Sequence, residues 1–337
     1  MEIPDDIARR ILDELKNAAH VLIISHRHPD ADTIGSNIAL RLVLEKHGIQ
    51  VTSACVDGLG PGIDFLPHGK DFIHQIDPEN FDVYVTVDAG SVSQAAFPEK
   101  FPEMLNGKKT FITIDHHPSN QGYGTLNLVV NNAASTTLVL YRLFQKWEEI
   151  ITPEIATCLL YGLYYDTGSF MHSNTSDQVY TVAGELMSRG ADQKSITKHL
   201  FKERTIEQLK LWGQVLDGIT VTNDNVAVSC VTDKNLEDIG ATNHQLSGVI
   251  DYLSMIKENR YATLLCEDGE GRIRGSFRTR RDDVDVGNMA QSLGGGGHKK
   301  ASGFTIEGKL KEEIKWTIEP EKMEEKNSIT SGPNAKK

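Results

Sequence analysis

The sequence predicts an α/β protein, with a doubly wound, mainly parallel sheet domain followed by a smaller α+β domain, joined by a helical connector. Three observations lead there. In the first half, short apolar runs alternate with segments of helical period. Several of those runs end in Asp or His, as expected where a parallel sheet collects a ligand at the carboxyl ends of its strands. In the second half, two apolar runs flank Asp268-Gly269, a hairpin-turn signal.

The elements follow in order. Pro4 to Asn17 forms an amphipathic helix, with Ile7, Ile11, Leu12 and Leu15 on one face. His20 to Ser25 is a strand that runs into His26-Arg27-His28-Pro29-Asp30-Ala31-Asp32. A helix begins near Thr33, carries Ile34, Ile38 and Leu42, and stops at Gly48. Gln50 to Val56 and Asp82 to Val87 are strands, the second ending in Asp88. Thr110 to Ile114 is a strand that leads into Asp115-His116-His117-Pro118, where proline ends the ladder. After a polar loop, Ser135, Thr136 and Thr137 cap a helix that reaches Trp147. Pro153 opens a helix that is apolar nearly all round, hence buried, and ends at Asp166-Thr167-Gly168.

Asp177 to Gln214 reads as helices with charged faces. Val226 to Val231, Tyr261 to Cys266 and Arg272 to Arg278 are strands, and helices lie near His244–Met255 and Val286–Leu293. Four glycines then precede His298, and a last strand passes through Phe304 to Ile306. The expected units are 1–185, a connector over 186–217, a second domain over 218–308, and a charged, solvated tail over 309–337.

Composition narrows the function. With 337 residues, 39% hydrophobic and 24% charged, the chain suits two ordinary globular domains. It shows neither a signal-peptide core nor an apolar run long enough for a bilayer, which predicts a cytoplasmic protein without a membrane partner. Cys55, Cys158, Cys230 and Cys266 lack Cys-x-x-Cys spacing, so reduced structural thiols are expected. A net charge of −12 argues against holding long nucleic acid by backbone attraction, yet leaves room for a short anionic substrate in a local basic pocket. Oligomeric state, with a homodimer among the options, is not legible.

The informative pattern lies at the element ends, which carry His26, Asp30 and Asp32, then Asp88, then Asp115, His116 and His117, then Asp166. Singly, each Asp reads as a cap or turn residue, and His28 as a loop residue. Jointly, such clustered carboxylates repel one another unless divalent ions neutralise them. Two ions roughly 3.5–4 Å apart, sharing a carboxylate, activate a water and clamp a phosphoryl group. Imidazole among the oxygen donors favours Mn²⁺ over Mg²⁺. Neighbouring residues on an extended segment point to opposite sides, so of His116 and His117 one is expected to ligate while the other faces a substrate.

This ordered set, from His26 to Gly168, resembles the DHH phosphoesterases. Gly275-Ser276-Phe277-Arg278 and the glycine run with His298, followed by Ala301-Ser302-Gly303-Phe304, resemble the DHH-associated C-terminal domain. The resemblance implies that His26 and Asp30 bind one metal ion, that Asp32, His116 and Asp166 bind the other, and that Asp88 bridges both. It implies catalytic roles for Asp88 and for His117 at the scissile phosphate, with Asp115 supporting the imidazoles. The two-domain length points to the branch that hydrolyses very short oligoribonucleotides and dephosphorylates 3′-phosphoadenosine 5′-phosphate. Cyclic or linear dinucleotide phosphodiesterases are the alternative, and a non-catalytic nucleotide sensor is a reading of another class. Met171-His172 stands where a basic or aromatic residue is more usual, which touches substrate preference and not the metals.

Substrate contacts are expected from Ser135 and Thr136 at a helix N-terminus, from Arg278 with its planar fork, and from Gly295, Gly296, Gly297 and His298, whose backbone can approach an anion closely. Arg272, Arg274 and Arg278 share one strand face, whereas Arg280 and Arg281 are expected to pair with Asp282 and Asp283.

Overall fold

In the first half, strand after strand is buried on both faces, so a single sheet must be covered on both sides. The computed structural model describes residues 2–60 and 62–311. From residue 312 on, the charged tail expected from the sequence lies outside the described residues. The first unit comprises α1 (Asp5–Asn17), β1 (His20–Ser25), α2 (Ala31–Lys46), β2 (Gln50–Ala54), β3 (Val83–Val87), α3 (Val92–Ala95), α4 (Phe97–Lys100), β4 (Thr110–Asp115), β5 (Leu126–Val129), α5 (Thr136–Lys146) and α6 (Pro153–Asp166). Its five strands run parallel in the order β2-β1-β3-β4-β5. The chain therefore reverses its direction of winding between β1 and β3, the crevice where such sheets bind ligands.

Alternation along β1 divides the core. Val21 and Ile23 face the large core under α1, α2, α5 and α6, while Leu22 and Ile24 face a smaller one with Tyr84, Phe97 and Phe111. Each such side chain contributes roughly 1.5–3 kcal/mol when fully buried. Helices α2 and α6 touch where both carry glycine. A Cβ on Gly35 would overlap the Cys158 carbonyl oxygen, and one on Gly162 would overlap the Asp32 carboxylate and Thr137.

Next come α7 (Asp177–Ser188), α8 (Gln193–Thr197), a π-helical turn (Lys198–Lys202) and α9 (Ile206–Asp217). Leu186, Ile196 and Leu200 sit in the first unit's core, and Leu211 and Val215 in that of the second. The second unit adds β6 (Thr220–Val221), β7 (Val226–Val231), α10 (Asp233–Ile239), α11 (Val249–Ser254), β8 (Tyr261–Glu267), β9 (Arg272–Arg278), α12 (Val286–Ser292), β10 (Gly296–His298) and β11 (Ala301–Glu307). Its sheet order is β10-β11-β9-β8-β7-β6, antiparallel except between β7 and β8.

Four expectations change. Helix α2 starts at Ala31, because Asp30 accepts the Asp32 and Thr33 N–H groups as its cap. The polar loop after His117 contains a strand, β5, paired with β4. The helix expected over His244–Met255 divides into a 3₁₀ turn (Asn243–Leu246) and α11, since Gly248 between them has a φ of +87°. The glycine run is partly strand. Gly295 donates its N–H to the Ala290 carbonyl, and a Cβ on Gly295 or Gly297 would collide with β11.

Candidate metal centre

Each acidic or imidazole group expected from the sequence for the metal centre is delivered to the carboxyl edge of the parallel sheet. His26 follows β1, Asp88 follows β3, and Asp115 ends β4. Asp30 and Asp32 stand at the start of α2, and Asp166 at the end of α6. Asp88 has a φ of +60°, a left-handed conformation that Asp tolerates better than most residues. Its N–H is held by the Ile114 carbonyl at 3.0 Å.

Asp88 is the centre of the cluster. Its Oδ2 lies 3.5 Å from His26 Nε2, and its Oδ1 lies 3.5 Å from His116 Nε2. On one side, His26 Nε2 also stands 3.7 Å from Asp30. On the other, His116 Nε2 stands 3.1 Å from Asp166 and 3.9 Å from Asp32. His26, Asp30 and Asp88 form one grouping able to hold a metal ion, and Asp32, Asp88 and His116 form another. Both imidazoles are aimed the same way. His26 Nδ1 is 2.8 Å from the Arg27 carbonyl and His116 Nδ1 is 3.2 Å from that of Ala133, so Nδ1–H donates to backbone and each Nε2 is turned to the carboxylates. His116 Nε2 is buried and has no hydrogen-bond partner. A buried acceptor left so is costly in an apolar interior, and a metal ion answers it.

The carboxylates show the strain expected of such crowding. Burial, then the charges of Asp88 and Asp166, hold the Asp32 pKa well above the usual carboxylate range. Burial would depress His116, but the Asp166 carboxylate at 3.1 Å and the charges of Asp88 and Asp32 outweigh it and raise its pKa.

The opposite-sides argument for His116 and His117 does not hold. The strand ends at Asp115, whose Oδ1 accepts the N–H groups of both histidines and curls the chain. The two rings consequently lie 4.6 Å apart, and His117 Nδ1 comes within 3.6 Å of Asp88. That Nδ1 is also 2.8 Å from Asp115, whose other oxygen accepts from Asn120 at 2.8 Å. Burial opposes charge on His117, yet the Asp115 hydrogen bond raises its pKa. Asn120 carries no sequence signal of this task, because its partner is set by the fold alone.

Ser135 and Thr136 are also redirected. Both are fully buried. Ser135 Oγ accepts from Leu138 N, while the Thr136 and Thr137 N–H groups at the start of α5 donate to Asp32 at 2.6 and 3.0 Å, and Thr136 Oγ1 donates to Asp88. A phosphate oxygen at this helix end would have to displace a carboxylate of the cluster itself. After α6, His172 and Asn174 both bond to the Asp166 carbonyl.

From the second unit, His298 closes over the cluster. Its ring stacks on His117 (4.8 Å, 24°) and lies 4.8 Å from His116. Burial and the charges of those two histidines push its pKa down to about 3. Arg278 is not in the cluster. Its Nε donates to Asp251 at 3.3 Å and its side chain is about one-third exposed. Arg281 pairs with Asp283, but Arg280 has no ion-pair partner among the described residues.

Comparison with known proteins agrees with this architecture. Residues 20–163 match the DHH family, N-terminal domain, and residues 223–321 match the DHHA1 domain, the latter running past the last described residue. The bifunctional oligoribonuclease and PAP phosphatase NrnA of Bacillus subtilis is 26% identical, over 84% of this chain and 89% of its own. The protein of the same description from Thermus thermophilus is 29% identical, over 86% and 84%. Among solved structures, an exopolyphosphatase-related protein from Bacteroides fragilis shares the fold, with a TM-score of 0.82 at 23% identity, covering 91% of this chain and 93% of that one.

Proposed function

The chain carries a DHH-family N-terminal domain joined to a DHHA1 domain, and from that premise we propose that it is a two-metal phosphoesterase. On this reading it hydrolyses short oligoribonucleotides to mononucleotides and removes the 3′-phosphate of 3′-phosphoadenosine 5′-phosphate. The observation that carries it is Asp88, whose two oxygens face two different imidazoles at 3.5 Å each. A carboxylate so placed could serve two ions, one on each side. The names of the curated relatives support the choice of substrate.

His26, Asp30 and Asp88 would hold one ion, and Asp32, Asp88, His116 and Asp166 the other. The mixed donor set suits Mn²⁺, with Mg²⁺ as the alternative. Bound there, the ions supply charge neutralisation at the phosphoryl oxygens and a water of lowered pKa. Asp115 fixes His117 through Nδ1, which leaves Nε2 to donate to a phosphoryl oxygen or the leaving group. His298 and the strand of Gly296 and Gly297 cover the site from the second domain and exclude water. Arg278 swings from Asp251 to grip a substrate phosphate. Thr136 and Thr137 hold Asp32, and Ser135 caps their helix.

A rate panel with Mn²⁺ tests this, using a 5′-phosphorylated diribonucleotide, 3′-phosphoadenosine 5′-phosphate, cyclic di-AMP and pyrophosphate. The first two should be the best substrates. Faster turnover of cyclic di-AMP would replace this reading with a cyclic dinucleotide phosphodiesterase. Nucleotide binding without turnover of any of the four would leave a sensor.

A further inference from the structure

Between the metal ligands His26 and Asp30, His28 adopts a φ of +53°, an uncommon conformation for a residue other than glycine. It is held there by Asp57, whose Oδ2 accepts the His28 N–H at 2.7 Å and lies 3.3 Å from Nδ1. The ring is thereby presented to the second domain, where it meets His244 edge-on with centroids 5.6 Å apart. His28 Nε2 has no hydrogen-bond partner among the described residues.

His244 and Arg274 are neighbours within the second domain. Asn243, next to His244, binds the Glu267 carbonyl and accepts from Cys266, and Cys266 is the register partner of Arg274 on the adjacent strand. Register partners in a sheet point to the same face, so Arg274 lies on the side of Cys266, Asn243 and His244. Along β9, Ile273, Gly275 and Phe277 are buried, whereas Arg272, Arg274 and Arg278 share the other face. Arg272 pairs with Asp268 and Glu270, and Arg278 pairs with Asp251. Arg274 is half-buried and has no carboxylate within ion-pair distance among the described residues. A half-buried guanidinium on the sheet face next to the His28–His244 pair, without a counter-ion, is matched to an anion.

We propose that Arg274, His28 and His244 form a second anion subsite, free of metal, that takes the non-reacting phosphate of a nucleotide substrate across the cleft between the domains. It rests on the phosphoesterase reading above and deepens it, since the reacting phosphate lies at the cluster around Asp88. Arg274 stands four residues along β9 from Arg278, about 13 Å at the usual rise. The two arginines therefore address different phosphates. Asp57 positions His28 through the His28 N–H.

The test compares the full chain with Arg274→Ala, in Mn²⁺, on 3′-phosphoadenosine 5′-phosphate and on adenosine 3′-monophosphate, which has the same reacting group and lacks the second phosphate. The ratio of kcat/KM for the bisphosphate over the monophosphate should fall about tenfold, as for loss of one charge-assisted contact, and should recover in part in Arg274→Lys. An unchanged ratio overturns the subsite. Calorimetry in EDTA with 3′-phosphoadenosine 5′-phosphate and with adenosine 3′-monophosphate reads the same preference without turnover. Its loss in Arg274→Ala supports the subsite, and its persistence overturns it. Absence of hydrolysis by the wild type therefore defeats the phosphoesterase reading alone.

Discussion

The two domains face one cleft with opposite chemistry and opposite degrees of freedom. The first presents His26, Asp32, Asp88, Asp115 and His116, all buried and each fixed by backbone or by a neighbour. The second presents arginines that are partly exposed and, apart from Arg274, mostly paired with carboxylates of their own domain. A group that must hold metal ions in register has to be positioned before the substrate arrives. A group that grips a variable ligand can exchange one partner for another. The difference teaches which substitutions should abolish the reaction and which should only weaken binding.

The sharpest way to break the contrast is Asp88→Asn. Asparagine also tolerates the left-handed backbone at this position, so the fold should persist while the shared carboxylate is lost. We expect kcat in Mn²⁺ to fall by roughly a thousandfold or more, as when a positioned electrostatic group is removed, with circular dichroism unchanged. Residual activity within tenfold of wild type would show that Asp88 is not shared between ions.

Metal removal probes the same side through stability. Burial and neighbouring charge raise the pKa values of Asp32 and Asp166, so this part of the fold carries repulsion that bound cations would relieve. Saturating Mn²⁺, at about 100 times its Kd, should contribute roughly 2.7 kcal/mol and raise the Tm of the chelated protein by roughly 5–10 °C. No shift in a thermal melt would mean that the cluster does not bind the ion.

The smallest effect belongs to the second domain. Arg278→Ala should raise KM for a short oligonucleotide about tenfold and leave kcat within a few-fold, if the side chain grips substrate as proposed without touching the reacting atoms. Steady-state kinetics decides it, and a lost kcat at constant KM would move Arg278 into the chemistry.

Much of this was legible in the amino-acid order, for reasons that differ by element. The strands buried on both faces announced themselves as apolar runs, and their polar ends marked the site. Strand β5 did not, because Leu126–Val129 is short and only half-buried, on the edge of the sheet. His117 was misdirected by extending the strand rule past Asp115, where a side chain and not the ladder sets the course. Ser135 and Thr136 looked free for a ligand, since nothing local discloses that Asp32, more than a hundred residues away, occupies their helix end. His28 and His244 meet only because the fold sets two domains side by side, which no local pattern records.

The bare α-carbons of Gly35 and Gly162 set the gauge of the whole cage. At Gly35 the backbone of α2 rests on the backbone of α6, and at Gly162 the missing side chain leaves room for the Asp32 carboxylate, so the placing of Asp32 against α6 is built into the helix crossing. A side chain at either position would push the two helices apart and carry Asp32 and Asp166 with them.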